Sequence, residues 1–416
     1  MKKFELRIIR QLLAGRISTN IADSMLYMLT IWFFNTHYSS PMLLSMVFAL
    51  TALVDTLSFL LGPLIDKSNP KQNLYWVSCM QTAVVFAVLI LYFIFGSARI
   101  GAFMCVSLLV TYIGSAIIYP SGEKLVPYLV PNEKLVSVNS LFTVSEKTAD
   151  ILFNAISTII ISYCRIEHIF IMIISIFLLA SNAHRLVCTY FEDRQLAEEK
   201  REIPKSRKEE NSGLIVPYIT DLIDGICEIK KHPDILMLFL PLSVVNVFYG
   251  AAMVGLPVVA ELYISDKAVG YGSLLLFSSI GGVLGAGLIR KFPHCINAPR
   301  KYTAIFLGIS GVTWLLIPIS MQYCYLLCFL LIFLSNCTIN MMNVMFVALI
   351  QCQIEESVLG RVTTFTESMV SCMIPLGNLL GGWFLTTFNP LTSQSVYGMA
   401  LLLSSICYFS AKKSSK

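Results

Sequence analysis

Charge is scarce in this chain. Only 13% of its 416 residues are Asp, Glu, Lys or Arg, against 56% hydrophobic, and the mean hydropathy is +0.73. So few charges cannot keep an ordinary globular surface in water, which excludes a soluble domain. Histidines are few and scattered: His37, His168, His184, His232 and His294 all lie apart. With no HExxH, GxSxG or cluster of nucleophile, base and metal ligand, the chain does not read as an enzyme. No GxxxxGK[ST] loop is present, so nucleotide hydrolysis is not the energy source, and no cofactor is implied. The 12 cysteines form no CxxC pair and fall mostly inside apolar runs, where they serve as small packing residues rather than disulfides or zinc ligands. A cleavable leader is not expected either. MKKFELRIIR is basic, but a polar-spotted stretch without a small-residue cleavage site follows it.

What the chain does have is long apolar runs. A bilayer core of ~30 Å needs roughly 20 mostly apolar residues per spanning helix. Twelve segments meet that need: 17–35, 42–64, 74–95, 100–119, 140–163, 168–189, 234–262, 270–289, 302–320, 324–349, 363–387 and 394–410. The fold class expected is an all-α polytopic membrane protein. Midway stands a charged island, Glu192 to Gly213, in which 13 of 22 residues are charged. It divides the chain into a six-helix bundle (1–191), a cytoplasmic linker (192–233) and a second six-helix bundle (234–416). Within the linker, Ile219, Leu222, Ile223, Ile226 and Ile229 share one face opposite Asp221, Asp224, Glu228 and Lys231, the pattern of an amphipathic helix lying on the membrane.

The formal net charge of +5 is explained by sidedness rather than by a nucleic-acid partner. Of the 30 Lys and Arg residues, 26 fall on one side of this topology. Arg99, Arg165 and Lys267 fall on the other, and Lys147 lies within a span. By the positive-inside rule, both termini and the linker are cytoplasmic, in the plasma membrane. The halves also echo each other. PLIDK (Pro63 to Lys67) ends the second span and GLIRK (Gly287 to Lys291) the eighth, while FTVSE (Phe142 to Glu146) and FTES (Phe365 to Ser368) open the fifth and eleventh. A duplicated six-helix unit leaves such traces.

Between the second and third spans stands GPLIDKSNPKQ, Gly62 to Gln72. Gly62 permits close helix contact, Asp66 suits the positive end of a neighbouring helix, and Lys67 and Lys71 suit an anionic cytoplasmic surface. The stretch resembles the loop signature of the major facilitator superfamily. PYLVPNEKLVSVNSL (Pro127 to Leu141), VGYGSLLLFSSIGGVLGAG (Val269 to Gly287), LGRV (Leu359 to Val362) and IPLGNLLGG (Ile374 to Gly382) resemble its drug-efflux branch, which includes macrolide and siderophore exporters. Two features depart from the family pattern: Thr111 stands where an arginine is common on the fourth helix, and FNAIS (Phe153 to Ser157) replaces the fifth-helix GP signature. The resemblance implies two pseudo-symmetric six-helix bundles. It also implies a monomer that exports small drug-like molecules by proton antiport, with a siderophore, another metabolite or an importer of the same fold as alternatives. It further implies a cytoplasmic gate motif of Gly62, Asp66, Lys67, Lys71 and Arg361, in which Asp66 meets the start of the eleventh helix near Gly360 and Arg361.

Ionisable groups inside spans are functional candidates by default. Asp23 and Asp55 each lie about six or seven residues from the cytoplasmic end of their spans, ~10 Å deep at 1.5 Å per residue, and could share a proton or bridge helices as neutral acids. Glu146, Asp150 and Glu367 are further proton-coupling candidates, with Lys147 and Asp150 spaced to neutralise one another. Asn20, Tyr27, Thr111, Asn246, Tyr249, Asn340, Asn343, Phe346, Met369 and Met373 are candidates to line a substrate cavity. The asparagines serve equally well as interhelical hydrogen-bonding groups.

Overall fold

The structure is a computed structural model that describes residues 3–38, 40–61, 65, 68–97, 99–130, 132–198, 233–265, 268–354, 362, 366 and 368–410. Among the described residues the chain forms twelve α-helices. They are α1 (Lys3–His37), α2 (Pro41–Leu57), α3 (Pro70–Phe95), α4 (Gly101–Leu125), α5 (Asn132–Tyr163) and α6 (Ile166–Glu198) in the first half. The second half holds α7 (Pro233–Tyr263), α8 (Ala268–Leu288), α9 (Pro299–Tyr323), α10 (Tyr325–Gln353), α11 (Ile374–Thr387) and α12 (Leu391–Ser410). Eight of these, α3, α4 and α6 to α11, belong to stretches long and apolar enough to cross a membrane. Helix α2 is apolar but only 17 residues long, while α1 spends its length on a polar stripe described below.

Local sequence sets several of the boundaries. Asn69 caps α3 by accepting from the Lys71 N–H at 3.1 Å, with Pro70 opening the first turn, where its missing N–H costs nothing. Gly96 ends the same helix at φ 70°, in the left-handed region that glycine tolerates. Where one span over 363–387 is expected, a turn at Cys372–Met373 interrupts the helix ahead of Pro375. Pro375 has no N–H to donate to the carbonyl of Ser371 one turn back, so a break is favoured there. Helix α6 runs past 189 into the charged island, as far as Glu198.

The helices cluster into two compact units. One comprises Met1–Thr30 and Leu57–Tyr218, the other Ile31–Thr56 and Ile219–Lys416. In the first, Ile8 and Leu12 of α1, Leu74 of α3, Ile118 of α4, Phe142 of α5 and Val187 of α6 gather into one buried apolar cluster. In the second, α7 packs on α11, α8 on α10, and α9 on both α10 and α12. Two of these pairs close to backbone contact at glycine. A Cβ at Gly377 would overlap the Val247 carbonyl oxygen, and one at Gly285 would overlap that of Cys337. Small residues let membrane helices approach this closely, trading side-chain volume for backbone van der Waals contact.

Candidate functional site

Helix α1 carries Arg16, Asn20 and Asp23 at i, i+4 and i+7, one face of a 3.6-residue helix. All three turn into the first unit. Arg16 is 1% exposed; its Nε donates to Glu146 of α5 at 2.5 Å and its Nη2 to Glu123 of α4 at 3.3 Å. The guanidinium also lies 5.2 Å from the Tyr119 ring centroid and 4.8 Å from that of Phe142, so it is paired and faced by aromatic rings on several sides. A turn along, Asn20 donates to Asp150 of α5 at 2.7 Å. A further turn along, the buried Asp23 accepts the Ser115 hydroxyl of α4 on one carboxylate oxygen. Its other oxygen has no hydrogen-bond partner among the described residues. Gln81 of α3 extends this network, donating to the Ser115 hydroxyl at 3.0 Å and to the Thr111 carbonyl at 2.9 Å.

The polar stripe redistributes roles that the sequence assigned differently. Arg16 stands just before the first expected span (17–35), yet it is a buried ion-pair partner. The spacing Arg16–Asn20–Asp23, opposite two acids on a later span, is the signal that reveals it. Asp150 accepts from Asn20, and the side chain of Lys147 lies outside the described residues. His184 of α6 is also buried, with Ser78 of α3 at 2.6 Å from Nδ1. Its ring lies against Gly15, where any Cβ would overlap it. Asp55 is exposed on α2, in the second unit. Tyr27 lies 6.0 Å from Tyr112, ring to ring, and Thr111 is fully buried. Gly62, Asp66, Lys67, Arg361, Glu367 and the expected helix over 219–231 lie outside the described residues; Lys71 is in the first turn of α3.

The second unit encloses a cavity of about 360 Å³ between α7, α8, α9, α10, α11 and α12. Asn246 and Tyr249 of α7 and Asn340 and Asn343 of α10 line it, joined by Trp314, Ser335, Asn336 and Tyr397. Tyr397 sits between Tyr249 and Trp314, with ring centroids 5.7 and 4.9 Å away. Among the described residues the wall contains no Asp, Glu, Lys, Arg or His. Asn246 also bridges helices, donating to the Val370 carbonyl at 2.8 Å. Phe346 does not line the cavity and instead packs on Phe239 at 4.9 Å. At the α11 end, Val370 and Ile374 face the cavity rather than Met369 and Met373. Among the described residues no group of His, Cys, Asp and Glu could hold a metal ion.

Residues 12–377 match the sequence profile of the Major Facilitator Superfamily. None of the curated proteins matches the chain. Among solved structures, the nucleoside transporter NupG superposes with a TM-score of 0.64 at 13% identity, covering 99% of this chain and 100% of that one. A peptide transporter POT in complex with sulfate gives 0.69 at 11% identity, covering 96% and 93%. A bacterial homologue of the human lysosomal transporter Spinster, in an inward-facing and unoccupied conformation, gives 0.59 at 14%, covering 98% and 94%. At such identities the likeness is one of fold.

Proposed function

Because the chain belongs to the Major Facilitator Superfamily, we propose that it is a secondary transporter that moves small organic molecules across the plasma membrane by alternating access. In this reading it has twelve spans in two six-helix bundles, works as a monomer, keeps both termini cytoplasmic and draws energy from the proton gradient. The observation that supports the proposal is the different polar content of the two units. The first buries an ionisable stripe ending at Asp23, while the second holds a cavity whose described lining carries no charged side chain. An acid within a helical bundle of a membrane protein can exchange a proton with either side as the bundle rocks, and the separate cavity can carry a solute through the same cycle. The resemblance to macrolide and siderophore exporters supports outward movement of drug-like molecules or a siderophore. Uptake or facilitated flow is the second reading, supported by FNAIS standing in place of the antiporter signature on the fifth helix.

Reconstituted into proteoliposomes, the protein is expected to drive uphill solute movement when a pH gradient is imposed. Asp23→Asn should keep solute binding and exchange but lose the pH-driven accumulation. Full gradient-driven accumulation by that variant would remove Asp23 from the coupling mechanism.

A further inference from the structure

The walls of the second unit's cavity define a chemical class of ligand, an inference that rests on the transporter reading above. Three of its carboxamides have already committed an N–H. Asn246 donates to the Val370 carbonyl, Asn336 to that of Ile332 at 3.0 Å, and Asn340 to that of Asn336 at 3.0 Å. Each amide retains an oxygen acceptor that is unpaired among the described residues, and the exposed Asn343 makes no side-chain hydrogen bond among them. By contrast, the Trp314 Nε1–H donates to the Ser335 hydroxyl at 2.8 Å, and Ser335 lies 2.6 Å from Ser310, so that corner is satisfied internally. The polar edge left to a ligand therefore offers amide oxygens together with the second N–H of each committed amide. Opposite it, Tyr249, Tyr397 and Trp314 form an aromatic flank that favours a planar ring.

Charge is what this cavity does not provide for. With no acid or base among the described residues of the wall, an ionic solute entering it would lose hydration without gaining a counter-ion from them. We propose that the cavity binds an uncharged planar heterocycle bearing a hydrogen-bonding substituent such as a hydroxyl, stacked on the aromatic flank and held by the carboxamides of α7 and α10. Its volume, about 360 Å³, sits at the low end of the ~300–1,000 Å³ range of small-molecule sites and suits a compact ring system.

A matched series tests this: hydroxyethyl-theophylline (uncharged, one donor), ethyl-theophylline (uncharged, no donor), and the carboxymethyl (anionic) and aminoethyl (cationic) counterparts. Each would be titrated against the purified full chain, reading the thermal melting shift. The hydroxyethyl compound should give a saturable shift and bind about tenfold more tightly than each of the other three, the scale of one well-made hydrogen bond or one uncompensated charge. Asn343→Asp, at a position with no structural hydrogen bond, should melt like the unmodified protein without ligand and invert the order, so that the aminoethyl compound binds best. Equal binding of the charged compounds, or no saturable shift with the hydroxyethyl one, overturns the assignment and leaves the transporter reading standing. Binding that Asn343→Asp inverts, in a protein that moves no member of the series in proteoliposomes, supports the site and counts against transport.

Discussion

Arg16 shows how much one side chain can organise. Its side chain is 2% exposed and that of Glu146 is 18% exposed, whereas that of Glu123 is 59% exposed. The first pair is therefore a buried interaction and the second largely a solvated one. Removing the cation strands Glu146 among packed helices, so Arg16→Ala should cost about 3 kcal/mol of stability, nearly all through Glu146. Adding Glu146→Gln should recover most of that loss, because no unpaired charge then remains. Unfolding of the detergent-solubilised variants measures both. A double variant as unstable as Arg16→Ala alone would mean that ring contacts with Tyr119 and Phe142, rather than the ion pair, hold this position.

Among the helices, the decisive contacts are made by the absence of side chains. Gly377 faces the Val247 carbonyl and Gly285 that of Cys337, with no room for a methyl group in either place. Gly377→Ala must push α11 off α7, and a cost of roughly 1 to 3 kcal/mol is expected from such overpacking. Gly287, two residues beyond Gly285, meets nothing within 4 Å of its would-be Cβ. Gly287→Ala should be neutral or stabilising by up to ~1 kcal/mol, the ordinary helix preference for alanine. Melting temperatures of the two alanine variants, compared side by side, check this. Equal losses at both positions would show that helix propensity rather than interhelical clearance governs them. The break before Pro375 has a similar local origin, and it separates a glycine-rich α11 from the stretch carrying Val370.

For the whole molecule, the distribution of lysine and arginine predicts that the charged island is cytoplasmic. In a variant whose 12 cysteines are replaced, a single cysteine at Ser206 should resist a membrane-impermeant maleimide in intact cells and react after permeabilisation. Reaction in intact cells would reverse the topology, and with it the inferred direction of transport.

Hydropathy and helical period are properties of consecutive residues, so the sequence alone determined the helical membrane class, most of the segment positions and the glycine-rich character of α8 and α11. The Gly62–Gln72 stretch also carried the resemblance to the family. Partnership is different, because it joins positions far apart in the chain. Arg16 meets Glu146 across 130 residues, and Ser115 reaches Asp23 across 92. Hydropathy cannot register such pairs, since it treats a buried arginine and a surface arginine alike. Only packing decided that Arg16 turns inward, that Asp150 is served by Asn20, and that Asn340 and Asn343 face a cavity while Phe346 faces Phe239. The physical reason is that burial and hydrogen-bond satisfaction are settled between helices, after each helix has formed.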